Sequence, residues 1–260
     1  MTYSTLLVRE NGQIATITFN RPEKRNAISY ELIQELIAAL GEVESSAAQV
    51  LILTGAGKAF CSGMDLENLR TITSRSPEEN LKDSQTMAGL FRAIYEFPKV
   101  TIAAVNGPAV AGGCGIATLC DFTIASKDAK FGYSEVRIGF LPAIVSAFLV
   151  RQMGEKQARD LLLTGKIIDA TEALRLGMIT EMVAPEHLLQ RTQQLAEELL
   201  QNSPASLAAT KRLLNHFSAG ELGAQIDAAV RANAEIRATA DFREGVTSFL
   251  EKRKPKWSGR

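Results

Sequence analysis

The chain has 260 residues, of which 46% are hydrophobic and 22% are charged, as is usual for a globular protein. Its 29 basic residues equal its 29 acidic residues, so the formal charge is zero, which argues against a protein that coats nucleic acid. The apolar runs are too short to span a membrane, and we expect no secretory signal at the amino terminus. The odd number of cysteines, three, predicts reduced thiols in a cytoplasmic protein.

The first predicted elements are two strands and a helix. Residues 6–8 and 14–19 flank Asn11-Gly12, which is a favoured pair for a tight turn between antiparallel strands. Ser29 suits the N-cap of a helix that follows it. Five apolar residues of this helix recur at helical spacing and predict one buried face: Leu32, Ile33, Leu36, Ile37 and Leu40.

Two unbroken apolar runs follow, at residues 50–53 and 100–105, and they predict strands that are covered on both faces. The segment between them is polar over residues 67–79. We therefore expect a mobile loop over 69–77 and a helix over about 78–95.

The second half of the sequence changes from mixed to helical patterning. It predicts a short buried helix at 116–119 and short strands at 122–125 and 130–133. From residue 143 onwards the pattern is almost wholly helical. This order of elements predicts an α/β fold of repeated β-β-α units with an α-helical carboxyl-terminal region.

Two glycine-containing loops leave the carboxyl ends of the two apolar strands, which is where open α/β sheets bind ligands. They comprise residues 59–66 and 106–115. Gly112-Gly113 opens a helix, whose unpaired N–H groups and partial positive charge suit an anionic oxygen. Two N–H groups from separate loops would form an oxyanion hole, and ordinary loop glycines are the alternative interpretation.

Five segments together resemble the crotonase family, the enoyl-CoA hydratase/isomerase superfamily, and they occur in the family's order. They are residues 20–27 (NRPEKRNA), 61–66 (CSGMDL), 106–121, 163–165 (LTG) and 173–177 (ALRLG). The resemblance covers about residues 5–255. It implies a crotonase-type spiral core with the acyl-CoA site over residues 1–200 and a helical trimerisation region over 201–260. It also implies a homotrimer or a hexamer built as a dimer of trimers, without nucleic acid or membrane partners.

The resemblance implies an enzyme for acyl-CoA thioesters, in which coenzyme A belongs to the substrate and no cofactor is needed. The backbone N–H groups of Met64 and Gly112 would hold the thioester oxygen while it becomes negative in an enolate. The residues that carry over as CoA contacts are Lys24, Arg25, Ala27, Ser62, Met64, Asp65, Leu66, Phe249 and Lys252. Phe249 and Lys252 match positions that touch the CoA of a neighbouring subunit, and a solvated helix end is the alternative for Lys252.

Glu135 matches the second of two glutamates that many hydratases of the family use. The position of the first glutamate is occupied by Gly115, which has no group that can hold a proton. To act as both base and acid, Glu135 would need a pKa that apolar neighbours raise towards neutrality. An ion pair with Arg137, or a surface charge, is the alternative interpretation of Glu135.

We therefore expect an enoyl-CoA hydratase that adds water across the C2=C3 bond of a 2-enoyl-CoA. The alternatives are a single-glutamate isomerase that shifts a C3=C4 bond to C2=C3, and a CoA-thioester-binding protein with little turnover. Residues 134–137 (SEVR) and 142–143 (PA) resemble methylglutaconyl-CoA hydratase-type members, which indicates branched acyl groups.

Metal and thiol chemistry are disfavoured by the sequence. His187 and His216 lie away from the two loops and in no metal-binding motif, which argues against a zinc site. The apolar neighbours of the three cysteines favour small core residues over nucleophiles; these are Cys61, Cys114 and Cys120.

Overall fold

The computed structural model describes residues 2–217 and 219–260, which form two sheets surrounded by helices. The strands are β1 (Leu6–Asn11), β2 (Ile14–Phe19), β3 (Val50–Gly55), β4 (Val100–Val105), β5 (Ala109–Val110), β6 (Phe122–Ser126), β7 (Lys130–Gly132), β8 (Ile167–Asp169) and β9 (Glu181–Val183). The helices are α1 (Tyr30–Ser45), α2 (Leu66–Ile72), α3 (Pro77–Tyr95), α4 (Gly112–Leu119), α5 (Ala143–Met153), α6 (Glu155–Thr164), α7 (Ala170–Arg175), α8 (Leu188–Leu200), α9 (Pro204–His216), α10 (Ala219–Ile236) and α11 (Ala240–Leu250).

The larger sheet has the strand order β1-β2-β3-β4-β6-β9. Its first pair is the antiparallel hairpin that the sequence predicts, and the other pairs are parallel. Every residue of β4, and all of β3 except its last residue, Gly55, is buried, as their unbroken apolar sequences predict. A smaller sheet of order β5-β7-β8 lies beyond them. The predicted α/β fold with a helical carboxyl-terminal region is confirmed.

Helix α1 begins where the sequence predicts, because the Ser29 hydroxyl accepts a hydrogen bond from the Leu32 N–H at 3.1 Å. Four of the five apolar residues predicted to form its buried face are buried, but Ile37 is 41% exposed. A helix turns by about 100° per residue, so the side chain of Ile37 points about 100° away from that of Leu36 and lies outside the buried face.

The predicted loop over residues 69–77 is wrong in its first part, because α2 extends to Ile72. The Asp65 carboxylate caps α2 by accepting a hydrogen bond from the Glu67 N–H at 2.9 Å. Leu69 and Ile72 are buried in a small cluster with Phe242 and Val246 of α11. The short polar stretch thus becomes helical through an apolar contact with residues far along the chain.

The carboxyl-terminal half is mostly helical, as predicted, but it also contributes β8 and β9 to the two sheets. The predicted interruption near residue 200 separates α8 from α9, which the Ser203 hydroxyl caps. Helix α10 packs against α3 and α5, and α11 packs against α2 and a 3₁₀ turn, Glu135–Ile138. Among the described residues, no helix combines the length and apolar character that crossing a membrane requires.

The docking of α11 depends on Gly245, which lies against the backbone of the 3₁₀ turn. A Cβ atom at Gly245 would lie 2.2 Å from the Ile138 carbonyl oxygen. We expect Gly245→Ala to lower the free energy of unfolding by about 1–3 kcal/mol, because backbone must move to admit the methyl group. Urea unfolding measures this change.

Gly41→Ala is the matched control, because Gly41 is exposed in α1 and a Cβ there meets no atom within 4 Å. Alanine favours a helix over glycine by about 0.5–1 kcal/mol, so this variant should be the more stable one. Equal effects of the two substitutions would show that α11 is not tightly docked at Gly245.

Candidate active site

The turn at residues 21–26 is fastened to the first loop by the side chain of Asn26, which is fully buried. Its Oδ1 accepts a hydrogen bond from the Arg21 N–H at 2.9 Å. Its Nδ2 donates to the carbonyl oxygens of Ala56 at 2.9 Å and Ala59 at 2.8 Å. One amide side chain therefore fixes the position of the turn relative to the loop.

The two glycine-containing loops are in direct contact. The Val110 N–H donates a hydrogen bond to the Cys61 carbonyl oxygen at 3.0 Å. A Cβ atom at Gly113 would lie 2.3 Å from that same oxygen, so no larger residue fits there. Gly63 has a φ of +86°, a left-handed conformation that favours glycine, and it lies against Ala111. The loops are thus locked together at the start of α4.

Met64 follows Gly63 in the first loop and Gly112 begins α4 in the second, and both residues line one cavity. In the part of the chain that the structure describes, neither the Met64 N–H nor the Gly112 N–H donates a hydrogen bond. Ala111 turns the chain into α4 with φ 52° and ψ −126°, a conformation that is strained for alanine. The geometry therefore leaves two unpaired amide donors at the cavity, as an oxyanion hole requires.

The cavity has a volume of about 510 Å³. The residues predicted to contact CoA that line it are Lys24, Arg25, Ala27, Ser62, Met64, Asp65, Leu66 and Phe249. Lys252 lies outside this lining. Phe249 reaches the cavity from α11 of the same chain, although its family position implies contact with a neighbouring subunit.

Charged side chains surround the part of the cavity formed by the turn at residues 21–26. Lys24 and Arg25 line it and are exposed, and Lys24 forms an exposed ion pair with Glu67 at 3.1 Å. The Asp65 carboxylate lies 2.8 Å from Arg21 and also caps α2. Asp65 therefore holds the first loop in place, whereas the two exposed cations are accessible to an anionic ligand.

Glu135 begins the 3₁₀ turn that follows β7 and lines the same cavity. Although the residue keeps some accessible surface, its Oε2 atom is buried and has no hydrogen-bond partner among the described residues. Burial raises the pKa of this carboxyl from its usual 4.5 to about 7. No ion pair joins Glu135 to Arg137 in the described residues, so the ion-pair interpretation does not fit this geometry.

Gly115 lies in α4 with two apolar side chains against it. A Cβ atom there would lie 2.7 Å from Val145 Cγ1 and 3.1 Å from Phe91 Cζ. Val145 and Phe91 therefore occupy the space into which a glutamate side chain at this position would begin to extend. The described cavity wall around Gly115 is therefore apolar.

The three cysteines are fully or almost fully buried and form no disulfide. Burial raises the pKa of each thiol to about 12, so all three are protonated near neutral pH; they are Cys61, Cys114 and Cys120. They are core residues, as their apolar neighbours predict.

Five polar residues of the cavity wall were not predicted as site residues: Glu23, Asp83, Ser134, Asn233 and Arg237. Three of them interact with one another and are buried: Asp83, Asn233 and Arg237. Asp83 lies in α3, Asn233 lies in α10, and Arg237 follows α10 directly. The sequence offered one signal for this cluster. Asn233 and Arg237 are four residues apart, a spacing that places them on the same side of a helix in a segment rich in alanine. It does not identify their partner, because Asp83 is 154 residues away.

The enoyl-CoA hydratase/isomerase family model matches residues 9–260. A putative enoyl-CoA hydratase from Thermus thermophilus is 44% identical, covering 95% of this chain and 98% of its own. The short-chain-enoyl-CoA hydratase of Clostridium acetobutylicum is 33% identical, and the match covers 98% of this chain and 97% of that protein. The crystal structure of an enoyl-CoA hydratase/isomerase from Xanthobacter autotrophicus Py2 matches with a TM-score of 0.88 at 30% identity. The match covers 97% of this chain and 98% of that one.

The raised pKa of Glu135 predicts a pH-dependent stability. Between pH 4.5 and 7 the folded protein keeps a proton on Glu135 that the unfolded chain has released. The free energy of unfolding therefore falls as the pH rises through this window, by about 3 kcal/mol from this group. Glu135→Gln removes this loss, so the variant should gain stability relative to wild type between pH 5 and pH 8. Urea unfolding at both pH values measures the difference, and a constant difference would show that the carboxyl is well solvated.

Proposed function

The chain belongs to the enoyl-CoA hydratase/isomerase family and has its crotonase fold, and from this premise we propose that it hydrates a 2-enoyl-CoA thioester. It is a hydro-lyase that adds water across the C2=C3 bond. One observation supports this most: the buried, unpartnered Oε2 atom of Glu135 shares a cavity with the free amides of Met64 and Gly112.

The reaction needs one group that moves a proton and one site that holds charge. Glu135 removes a proton from water while the water oxygen bonds to C3. The π electrons of C2=C3 move onto C2 and the thioester oxygen, which gives an enolate. The amides of Met64 and Gly112 stabilise that oxygen, and each donor contributes about 10²–10³ in rate. Glu135 then returns its proton to C2, which completes the addition of one water molecule.

The pKa of Glu135, about 7, suits a carboxyl that must accept a proton and give it back. A carboxyl with an ordinary pKa would be a weak base near neutral pH and would rarely hold a proton to return. Burial at an apolar wall supplies the shift without a second charged group.

Coenzyme A is bound at the cavity edge by the residues that carry over from the family. Lys24 and Arg25 face the phosphates as exposed cations. Ala27, Ser62 and Leu66 line the adjoining wall. Phe249 closes the cavity from α11, and Asp65 holds the loop through Arg21. Lys252, beyond α11, serves the CoA of a neighbouring subunit.

Assembly follows from the carboxyl-terminal region, residues 201–260, which we assign to trimerisation. Three large apolar side chains in and after α9 are more than half exposed: Leu213, Leu214 and Phe217. Covering such a patch with another subunit favours association. The assembly is a homotrimer or a hexamer of two trimers, and its free thiols fit a cytoplasmic location.

The isomerase reaction is the second candidate, because Gly115 is packed against Phe91 and Val145. A site with one carboxylate and an apolar opposite wall suits the transfer of a proton between C4 and C2. The segments 134–137 and 142–143 support a substrate of the methylglutaconyl-CoA hydratase type, with a branched acyl group.

Glu135→Gln should lower kcat by about 10²–10⁴, because glutamine cannot exchange a proton. The assay follows the absorbance of the conjugated thioester with a 2-enoyl-CoA and, separately, with a 3-enoyl-CoA. Loss of absorbance in the first shows hydration, and gain in the second shows isomerisation. Glu186→Gln, at an exposed glutamate outside the cavity, is the control. Binding without turnover in wild type would favour the CoA-thioester-binding alternative.

The Gly112 amide is tested by Gly112→Pro, which deletes the N–H at the first position of α4, and circular dichroism checks that the variant is folded despite the restriction that proline places on Ala111. We expect kcat/KM to fall by about 10²–10³. Gly112→Ala is the matched control, because it keeps the N–H and its Cβ meets only the end of the Ile28 side chain, at 3.0 Å. If both variants lose the same activity while remaining folded, the amide does not hold the thioester oxygen.

A further inference from the structure

One part of the cavity wall consists of buried polar and charged side chains. Arg237 is 3% exposed, Asn233 is 6% exposed and Asp83 is 9% exposed. All three residues line the cavity. The Arg237 guanidinium lies 2.6 Å from the Asp83 carboxylate and donates a hydrogen bond to Asn233 Oδ1 at 2.7 Å. A buried charged group in a cavity wall is costly unless it has a use or a partner.

This cluster carries a surplus of positive charge. Arg75 lies 3.2 Å from the other oxygen of Asp83, so two guanidinium groups share one carboxylate. Arg75 also donates a hydrogen bond to the Tyr30 hydroxyl. Burial raises the pKa of Tyr30 far above its ordinary value, so the phenol is neutral and contributes no compensating charge. The described ion pairs therefore leave a net charge of +1 beside the cavity.

Arg237 also has unused hydrogen-bonding capacity. Its Nε atom is buried and has no acceptor among the described residues. Arginine has five N–H donors and is always charged, so a missing acceptor leaves a strong donor unpaired. The guanidinium carbon lies 5.2 Å from the centre of the Phe140 ring, which lines the same cavity.

The positions of the cluster are well defined by further hydrogen bonds. Asn233 Nδ2 donates to the Leu141 carbonyl oxygen at 3.2 Å, which connects α10 to the wall segment that follows Glu135. Ser84 donates to Asn233 Oδ1 at 2.7 Å and accepts a hydrogen bond from Arg237 at 3.3 Å. The guanidinium is therefore held in place before any ligand arrives, which lowers the cost of binding.

The rest of the cavity already has assigned partners. Lys24 and Arg25 face the phosphates of CoA, and Glu135 with the two free amides faces the thioester end of the acyl group. The remaining length of the acyl chain is the only part of the substrate left to meet Arg237. A guanidinium with surplus charge and a free donor matches a carboxylate, because carboxylates accept charge-assisted hydrogen bonds from arginine.

We propose that Arg237 binds a carboxylate at the end of the acyl chain, so that the preferred substrate is a 2-enoyl-CoA whose acyl group ends in a carboxylate. This inference rests on the proposed hydratase function. Arg75 offsets part of the charge of Asp83 from the other side, so Asp83 weakens the attraction of Arg237 for such a ligand without cancelling it. Asp83 and Asn233 position the guanidinium, and Arg237 makes the contact.

The test compares substrate pairs of equal length that differ only at the acyl terminus. The six-carbon pair is 2,3-dehydroadipyl-CoA and 2-hexenoyl-CoA, and five- and eight-carbon pairs extend the series. In at least one pair we expect kcat/KM to favour the carboxylate by about 10- to 100-fold, as a charged hydrogen bond would give. Equal or lower kcat/KM for the carboxylate substrate in every pair would overturn the inference.

Two variants should change this ratio in opposite directions. Arg237→Met removes the cation and should lower the preference by about 10- to 100-fold. Asp83→Asn removes the competing carboxylate and should raise it. Both substrates meet the same population of folded enzyme, so partial misfolding cancels in the ratio. A cluster that only stabilises the fold would lower both rates together, and an unchanged ratio in both variants would overturn the inference.

Binding separates this inference from the hydratase assignment. Calorimetry with the saturated compounds adipyl-CoA and hexanoyl-CoA needs no turnover. Tighter binding of adipyl-CoA in wild type that Arg237→Met abolishes and Arg237→Lys partly retains would support the carboxylate site, even if no substrate were hydrated. Hydration of 2-hexenoyl-CoA with no preference in either assay would overturn the carboxylate site and leave the hydratase function intact.

Discussion

The close contact between two loops is the constraint on which the reactive centre depends. The amides of Met64 and Gly112 come from different loops, so their separation is set by the distance between those loops. Gly113 allows that distance to be short, because it has no side chain against the Cys61 carbonyl oxygen. Asn26 fixes the first loop from its other side. Backbone geometry, rather than any one reactive side chain, thus determines how the two unpaired amides are placed at the cavity.

Burial performs a second task in the same cavity, since it changes the proton affinity of Glu135 without a charged neighbour. Apolar side chains, rather than a second carboxyl, pack against Gly115 in the described wall. The same desolvation raises the pKa of the three buried thiols. It therefore keeps them protonated near neutral pH, whereas it brings the pKa of Glu135 close to neutrality. Arg237 is a contrasting case, because this buried group keeps its charge beside the carboxylate of Asp83.

The sequence predicted what depends on local patterns and missed what depends on distant partners. The hairpin at Asn11-Gly12 and the buried strands β3 and β4 follow from short-range signals, and they are present. Helix α2 was missed because its apolar residues pack against α11, which is remote in the sequence. In the site, resemblance to a family predicted Glu135 and the two amides, and these residues line one cavity. Arg237 was missed because its meaning appears only when α3 and α10 are brought together.

The contribution of α11 to the cavity has a consequence for how the protein is made. Phe249 and the residues after α10 form part of the wall that α3 and the first loop begin. A ribosome delivers the amino-terminal elements first, and domains fold as their residues emerge. The nascent chain can assemble the sheet early, but this part of the cavity wall is missing until α11 has been synthesised. Premature termination before α11 would therefore remove Phe249 from the cavity wall and leave the buried residues of α2 without their apolar partners.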